Sequence, residues 1–254
     1  MAEETTRPLI VGPDSGPEAP FPLKMEGKVI SGFGRGSKEV SHYRSSPTSL
    51  TACTNASFFT THILHPARHP LRLVLDTRSL TRPAPLTPLG IPTANLPVDA
   101  SQTPWIDTTK SGVYFGWASL SLPASHPDRV APPPSSGAGP AQPHLEFQLY
   151  PMVMSIGYNP FYKNTVRSAE VHVLHKFSAD FYDAHMRLLI LGFVREEKDY
   201  KSLEALVADI NTDCDVARNS LDRKAWAPPK TLRPGAETDG VLDAKWLVEP
   251  LPKA

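Results

Sequence analysis

Two short segments of the chain carry residues suited to binding a phosphate and a cation. The first, residues 27–38, passes from an apolar strand-like run into Gly32-Phe33-Gly34-Arg35-Gly36-Ser37-Lys38. Closely spaced glycines let backbone amides approach a ligand, often a phosphate. The segment does not match the G-x-x-x-x-G-K-[ST] pattern of a Walker A loop. It is not a dinucleotide-binding fingerprint either, because its third glycine comes one residue early and no helix pattern follows. Alone, it is as consistent with a tight turn as with phosphate binding.

The second segment, residues 89–97, contains Thr93 and Asn95 two positions apart between two prolines. In an extended segment, positions two apart face the same side. A hydroxyl and an amide carbonyl there can reach one hard cation such as Mg²⁺, which prefers oxygen ligands and retains phosphate oxygens and waters in its shell. The alternative is an ordinary proline-bounded turn with solvated polar residues.

A carboxylate stands on a predicted strand further along the chain. In residues 168–177, alternation places Val171 and Val173 on one face and Glu170 and His172 on the other. If the valine face is core, Glu170 projects away from it towards a cleft or solvent. A carboxylate there can accept a proton from a hydroxyl group. The competing interpretation is a solvated strand residue.

The elements that must position these residues are mostly strands. Short apolar or β-branched runs predict strands at residues 24–31, 111–120, 146–159, 168–177 and 186–194. One helix is predicted within residues 201–224, where apolar residues recur every three or four positions after a potential N-cap at Ser202. Several strands followed by one amphipathic helix predict an antiparallel barrel with a helix packed beside it.

Composition excludes several classes of protein. The 254 residues include 26 basic and 26 acidic ones, so charge does not favour nucleic acid or an anionic membrane as the main partner. The two cysteines lack paired spacing, which excludes a disulfide framework, and Cys214 lies in the apolar stripe of the helix as a predicted buried hydrophobe. Without a transmembrane-length run or a targeting segment, we expect a cytoplasmic protein, with a monomer as the default.

Proline-rich segments divide the chain. We expect a disordered arm at residues 1–23, one domain at 24–225 with a proline-rich loop at 121–144, and a proline-rich, loose tail at 226–254. Within that tail, Trp246 and Leu247 could dock. Residues 40–88 contain no Gly, Lys, Glu, Gln, Met or Trp and a single acid, so we interpret them as an insertion. Either it is a lineage-specific loop or it is a translated intron; the abrupt change in composition favours the intron.

Joined across the insertion, residues 27–38 and 89–97 resemble the riboflavin kinase family. SGVYFGWA, MVMSIGYNPFYKNTVRSAEVHVLHKF and DFYDAHMRLLILGFVREEKDY resemble it in the same order, and GIPTAN with NPFYKNT is not a generic pairing. The resemblance implies a mainly β fold, a six-stranded antiparallel Greek-key-like barrel with a C-terminal amphipathic helix. It also implies a fungal, monofunctional enzyme that phosphorylates the ribityl 5′-hydroxyl of riboflavin with ATP and forms FMN.

The resemblance also implies roles for individual residues. Glu170 is the expected catalytic base, and Mg²⁺ or Zn²⁺ is the expected metal. The expected metal ligands are Thr93 and Asn95; the expected ATP-binding residues are Gly32, Lys38, Thr93, Val173, His175 and Tyr182; the expected flavin-binding residues are Arg195, Lys198 and Tyr200. The alternatives are a catalytically impaired flavin- or nucleotide-binding barrel, because the insertion separates Lys38 from Thr93, and an unrelated barrel that uses its proline-rich loops to bind partners.

Overall fold

The structure is a computed structural model that describes residues 7–30, 94–130, 146–158 and 167–251. These residues belong to one compact unit formed by residues 1–33 and 91–254. Three expected site residues, Gly32, Lys38 and Thr93, lie outside the described residues, as does the predicted insertion at 40–88. In the part of the chain that is described, no helix is long and apolar enough to cross a membrane.

Six strands form one antiparallel sheet in the order β1-β6-β3-β4-β5-β2. They are β1 (Leu23–Lys28), β2 (Ala94–Leu96), β3 (Gly112–Ser121), β4 (Gln148–Tyr158), β5 (Arg167–Val173) and β6 (His185–Arg195). The sheet curls until its edges meet at one bridge, where the Ile30 amide donates to the Asn95 carbonyl at 2.9 Å and the Asn95 amide donates to the Ile30 carbonyl at 3.3 Å. The predicted six-stranded antiparallel fold is confirmed.

Strand alternation divides the apolar side chains into two clusters. The inner cluster fills the concave side of the sheet and includes Met25, Val171 and Leu188. The outer cluster lies between the convex side and the single α-helix of the described residues, α1 (Leu203–Leu221), and includes Phe115 and Leu189. Two separate buried layers explain why β3 and β6 are apolar on both faces, unlike a half-exposed strand.

The helix forms where the apolar periodicity predicted it. Ser202 is its N-cap, and the Ser202 side chain accepts a hydrogen bond from the Ala205 amide at 3.2 Å. Cys214 is buried in the outer cluster, and burial raises the pKa of its thiol to about 11. The prediction that Cys214 is a small buried hydrophobe is therefore confirmed, because a protonated thiol is a poor nucleophile.

The N-terminal residues 7–23 differ from the disordered arm that we expected. The Val11 amide donates to Ser220 Oγ of α1 at 3.0 Å, and Trp226 Nε1 donates to the Pro13 carbonyl at 2.9 Å. Gly12 has φ +79°, and a Cβ at this position would lie 2.4 Å from the Trp226 ring. The composition of the arm does not indicate this packing, because contacts with α1 and Trp226 hold the arm in place.

The C-terminal tail is also packed rather than loose. Leu247 is fully buried in the outer cluster, and Arg187 of β6 donates to the Trp246 carbonyl at 3.1 Å and to the Glu249 carbonyl at 2.5 Å. Arg187 is 4% exposed and also pairs with Glu26 at 2.9 Å. Trp246 and Leu247 thus dock as suggested, because the outer face of β6 supplies a charged anchor that the tail sequence does not reveal.

Candidate active site

Asn95 and Glu170 are direct cross-strand neighbours. β2 pairs with β5 so that these two residues are opposite each other. Directly opposed side chains lie on the same face of a sheet, with about 4.5–5.5 Å between their Cβ atoms. Ala94 and Val171, which adjoin them in the chain, belong to the inner cluster, so Asn95 and Glu170 are on the outer face. Glu170 therefore projects away from the core, as the alternation predicted.

Asn95 brings a buried oxygen to this pair. The residue is 2% exposed, and its Oδ1 is buried without a hydrogen-bond donor among the described residues. A buried carbonyl oxygen that accepts no hydrogen bond costs about 1–3 kcal/mol. The oxygen is also the kind of ligand that a hard cation takes. Asn95 Oδ1 therefore lacks either a hydrogen-bond donor or a cation among the described residues, and it belongs to the residue paired with Glu170 on the neighbouring strand.

One row of paired residues crosses the whole sheet. It runs in the order Ile30, Asn95, Glu170, Ser155, Val113 and Arg195. The glycine segment follows Ile30 in sequence at one end of the row, and the predicted flavin segment begins at Arg195 at the other end. Strands lie about 4.8 Å apart, so Glu170 and Arg195 are separated by roughly 14 Å along the row. The pairing thus links parts of the chain that are far apart in sequence.

The three expected flavin residues are tied to two carboxylates of α1. Arg195 Nη2 donates to Asp213 Oδ2 at 2.7 Å, while Lys198 Nζ and Tyr200 Oη donate to Asp209 Oδ2 at 3.0 and 2.7 Å. Neither aspartate was among the site residues predicted from the sequence, although their four-residue spacing places them on one face of a helix. They orient the segment after β6 against α1.

Electrostatics keep Arg195 and Tyr200 of this segment protonated. Burial and the hydrogen bond to Asp209 raise the pKa of Tyr200 to about 12, so its hydroxyl remains neutral. Burial by itself would lower the pKa of Arg195, but its hydrogen bonds and charge interaction with Asp213 outweigh burial and raise it. Tyr200 gives its only hydroxyl proton to Asp209, so the segment offers a ligand the ring of Tyr200 and the N–H groups of Arg195 that Asp213 does not occupy. A ring and guanidinium donors suit the face and the carbonyl edge of a planar heterocycle.

A cavity of about 190 Å³ lies at the ends of β1, β2 and β5, where Ala94, the chain neighbour of Asn95, lines it from the inner side of the sheet. Its lining residues come from these strand ends and from the connection between β5 and β6: Val29, Ala94, Val173, Phe177, Ser178, Ala179, Asp180, Phe181 and Tyr182. Two of the expected nucleotide residues, Val173 and Tyr182, are among them. Sequence reasoning missed the remaining wall, because nothing in residues 177–181 alone marks them as a lining.

His175, the third expected nucleotide residue in the described part, adjoins the cavity rather than lining it. β5 ends at Val173, short of the predicted end at residue 177, so His175 is exposed on the following connection instead of half-buried on a strand. Its ring lies 4.7 Å from the ring of Phe177 and 4.9 Å from that of Tyr150, between ring centres. His175 therefore supports an aromatic wall of the cavity.

Comparisons with known proteins identify the family. A sequence model described as "Flavokinase: Riboflavin kinase" matches residues 87–221. A curated riboflavin kinase of Pyricularia oryzae is 56% identical over 250 residues, covering 97% of this chain and 96% of that protein. The chain belongs to the riboflavin kinase family. Family membership assigns to it the phosphorylation of riboflavin to FMN with ATP.

Two further relatives extend the comparison. A riboflavin kinase of Neurospora crassa is 46% identical over 278 residues, covering 95% of this chain and 96% of that protein. The crystal structure of riboflavin kinase from Trypanosoma brucei has a TM-score of 0.41 and 27% identity, covering 59% of this chain and 82% of that one. The family match begins at residue 87, beside the end of the predicted insertion, and does not include the glycine segment at 27–38.

Proposed function

We propose that the outer face around Asn95 and Glu170 is the reaction centre at which this riboflavin kinase transfers phosphate. The observation that supports the proposal is the buried, unpartnered Asn95 Oδ1 directly across the β2–β5 pair from Glu170. Phosphoryl transfer requires positioning and charge neutralisation more than covalent chemistry by the protein. A cation ligand beside a carboxylate base meets both requirements.

Asn95 and Thr93 would hold a divalent metal. Their oxygen donors fit Mg²⁺, which binds oxygen ligands, better than Zn²⁺, which favours nitrogen and sulfur. When bound, the metal would neutralise charge on the ATP phosphates. Because both protein ligands are neutral, the phosphates must supply the negative charge that retains the cation, so metal binding should depend on the nucleotide.

Glu170 acts as the general base in this proposal. Its carboxylate accepts the proton of the ribityl 5′-hydroxyl as that oxygen attacks the γ-phosphorus. The new oxygen–phosphorus bond forms while the bond to the β-phosphate oxygen breaks, and ADP leaves with that electron pair. The outward direction of Glu170, away from the inner cluster, keeps the carboxylate where a substrate hydroxyl can reach it.

The two substrates would approach this centre from different sides. The adenine base occupies the cavity at Val173 and Tyr182, with His175 behind its aromatic wall, and the phosphates extend towards Asn95. Gly32 and Lys38 are the residues expected to bind those phosphates. The isoalloxazine ring lies against the Arg195–Tyr200 segment. Its ribityl chain runs along the row of paired residues towards Glu170. This scheme requires neither nucleic acid nor a second subunit, in keeping with the expected monomer.

The alternative, a catalytically impaired barrel, rests on the insertion at 40–88. The hydrogen bonds between Ile30 and Asn95 weaken that alternative, because they hold the described ends of the intervening chain together. A long loop whose ends are already adjacent adds little closure entropy and need not separate the strands.

The deciding experiment measures FMN formation from riboflavin and Mg-ATP by the full chain and by a version without residues 40–88. We expect FMN from both, which would make the insertion a tolerated loop. Activity in the shortened chain alone would support the impaired barrel and the translated intron. A folded shortened chain that is also inactive would contradict the proposed reaction centre.

A further inference from the structure

The wall of the nucleotide cavity is held by a distant acidic residue. Asp128 lies between β3 and β4, and Ser178 lies 50 positions later in the connection between β5 and β6. The Ser178 amide donates to Asp128 Oδ2 at 2.7 Å, and Ser178 Oγ donates to Asp128 Oδ1 at 2.9 Å. Both oxygens of the carboxylate are thus engaged by one residue of the cavity wall. These bonds lower the pKa of Asp128, so it is ionised at neutral pH.

His126 completes the same contact from a buried position. It is 7% exposed; the Asp128 amide is 3.2 Å from its Nδ1, and the Ala179 carbonyl is 3.2 Å from its Nε2. A backbone amide only donates and a carbonyl only accepts, so in these hydrogen bonds Nδ1 is the acceptor and Nε2 the donor. His126 therefore fixes Asp128 on one side and bonds the next wall residue on the other.

The wall needs external support because it is not part of the sheet. Within the described connection from β5 to β6, residues 174–184 form neither helix nor strand. Ser178 and Ala179, the two residues that are bonded, both line the cavity. Loops without regular backbone hydrogen bonds open at low free energy unless side chains restrain them.

We propose that Asp128 and His126 are positioning residues for the nucleotide, which hold the cavity wall at Ser178 and Ala179 in its binding arrangement. This inference rests on the proposed location of the adenine site and identifies the residues that hold its wall in place. Neither residue touches the flavin segment at Arg195–Tyr200, which is anchored separately by Asp209 and Asp213. Loss of the restraint should therefore weaken ATP binding and leave riboflavin binding unchanged.

The test compares Asp128→Ala with a matched control, Asp99→Ala. Asp99 accepts hydrogen bonds from the Ser101 amide at 2.8 Å and Ser101 Oγ at 2.7 Å, the same pair of donors, but in a turn that does not line the cavity. We expect the KM for ATP to rise about tenfold in Asp128→Ala, since hydrogen bonds to charged groups are worth at least that factor. The KM for riboflavin should stay within about twofold, and Asp99→Ala should match the parent chain in both.

Two outcomes would overturn the inference: an unchanged KM for ATP in folded Asp128→Ala, or equal increases in both KM values. Should Asp128→Ala fail to fold, Ser178→Ala removes only the hydroxyl bond, and an increase of about threefold in the KM for ATP is expected. Calorimetry with a non-hydrolysable ATP analogue keeps this test separate from the proposed reaction centre. Weaker binding of the analogue by Asp128→Ala would support the positioning role of Asp128 even in a chain that forms no FMN.

Discussion

Replacing Asn95 with leucine separates what this residue does for catalysis from what it does to the fold. Asn95 Oδ1 is buried without a hydrogen-bond donor among the described residues, on a side chain that is 2% exposed. Such an oxygen destabilises the ligand-free protein by about 1–3 kcal/mol. Leucine has a similar volume, so it removes Oδ1, together with Nδ2, without opening a cavity.

The expected change in stability is positive. For a domain of this size, 1 kcal/mol shifts the Tm by about 2–4 °C. We therefore expect Asn95→Leu, free of ligand, to unfold about 2–12 °C above the parent chain. Functional residues often carry a stability cost of this kind, since the group that binds the ligand is unsatisfied without it.

Activity should change in the opposite direction. Loss of a metal ligand removes several kcal/mol of charge stabilisation, so kcat/KM should fall by about 100-fold or more. A ligand at 100 times its Kd stabilises the folded state by about 2.7 kcal/mol, which the parent chain should gain from Mg-ADP and Asn95→Leu should largely lose. Thermal unfolding with and without Mg-ADP, together with chromatographic detection of FMN, measures both effects.

A second buried oxygen without a described hydrogen-bond partner, on Ser119, provides the control for the effect on stability. Ser119 Oγ on β3 is also buried without a described partner, in a residue that is 0% exposed and pairs with Leu149 and Arg187. Ser119→Ala should therefore keep or slightly raise the Tm and leave FMN formation unchanged. If Asn95→Leu instead lowers the Tm and retains the full Mg-ADP shift, Asn95 is an ordinary structural residue and the metal-site argument is refuted.

Three further predictions test other parts of the site. Glu170→Gln should lower kcat by about 10²–10⁴ and keep riboflavin binding by fluorescence quenching; unchanged turnover would exclude Glu170 as the base. Burial opposes ionisation of Asp209, but hydrogen bonds from Tyr200 and Lys198 lower its pKa below 3.8, so its contribution to stability is complete above pH 3.8 and is lost as the pH falls further. Urea unfolding should therefore separate Asp209→Asn from the parent chain at pH 7, and the difference should shrink as the pH is lowered below 3.8; a difference that does not change with pH would refute the assignment. Removing residues 40–88 shortens the segment between Ile30 and Ala94 from 63 to 14 residues, which should stabilise the fold by about 1.3 kcal/mol, and a shortened chain that unfolds at lower urea would make the insertion part of the fold.

Local patterns in the sequence predicted most of the elements. Alternation in residues 168–177 correctly placed Val171 inside and Glu170 outside, because side chains on a strand alternate whatever the strand packs against. The three- and four-residue spacing after Ser202 correctly predicted α1 and its N-cap for the same local reason. The sequence could not predict that the N-terminal arm and the C-terminal tail are packed against the domain. The residues that hold them, Trp226 for the arm and Arg187 for the tail, are distant from the contacting segments in sequence.

The sequence by itself therefore determined where the helix and most strands lie and which way side chains such as Val171 and Glu170 face, although it extended β5 past its end at Val173. Only the tertiary structure decided that Asn95 stands opposite Glu170, that Asp209 and Asp213 meet the segment after β6, and that Asp128 holds Ser178. The physical reason is how far apart in the chain the interacting residues are. Side-chain direction follows from backbone periodicity over a few residues, whereas strand register and contacts between connections depend on how the whole sheet curls and closes.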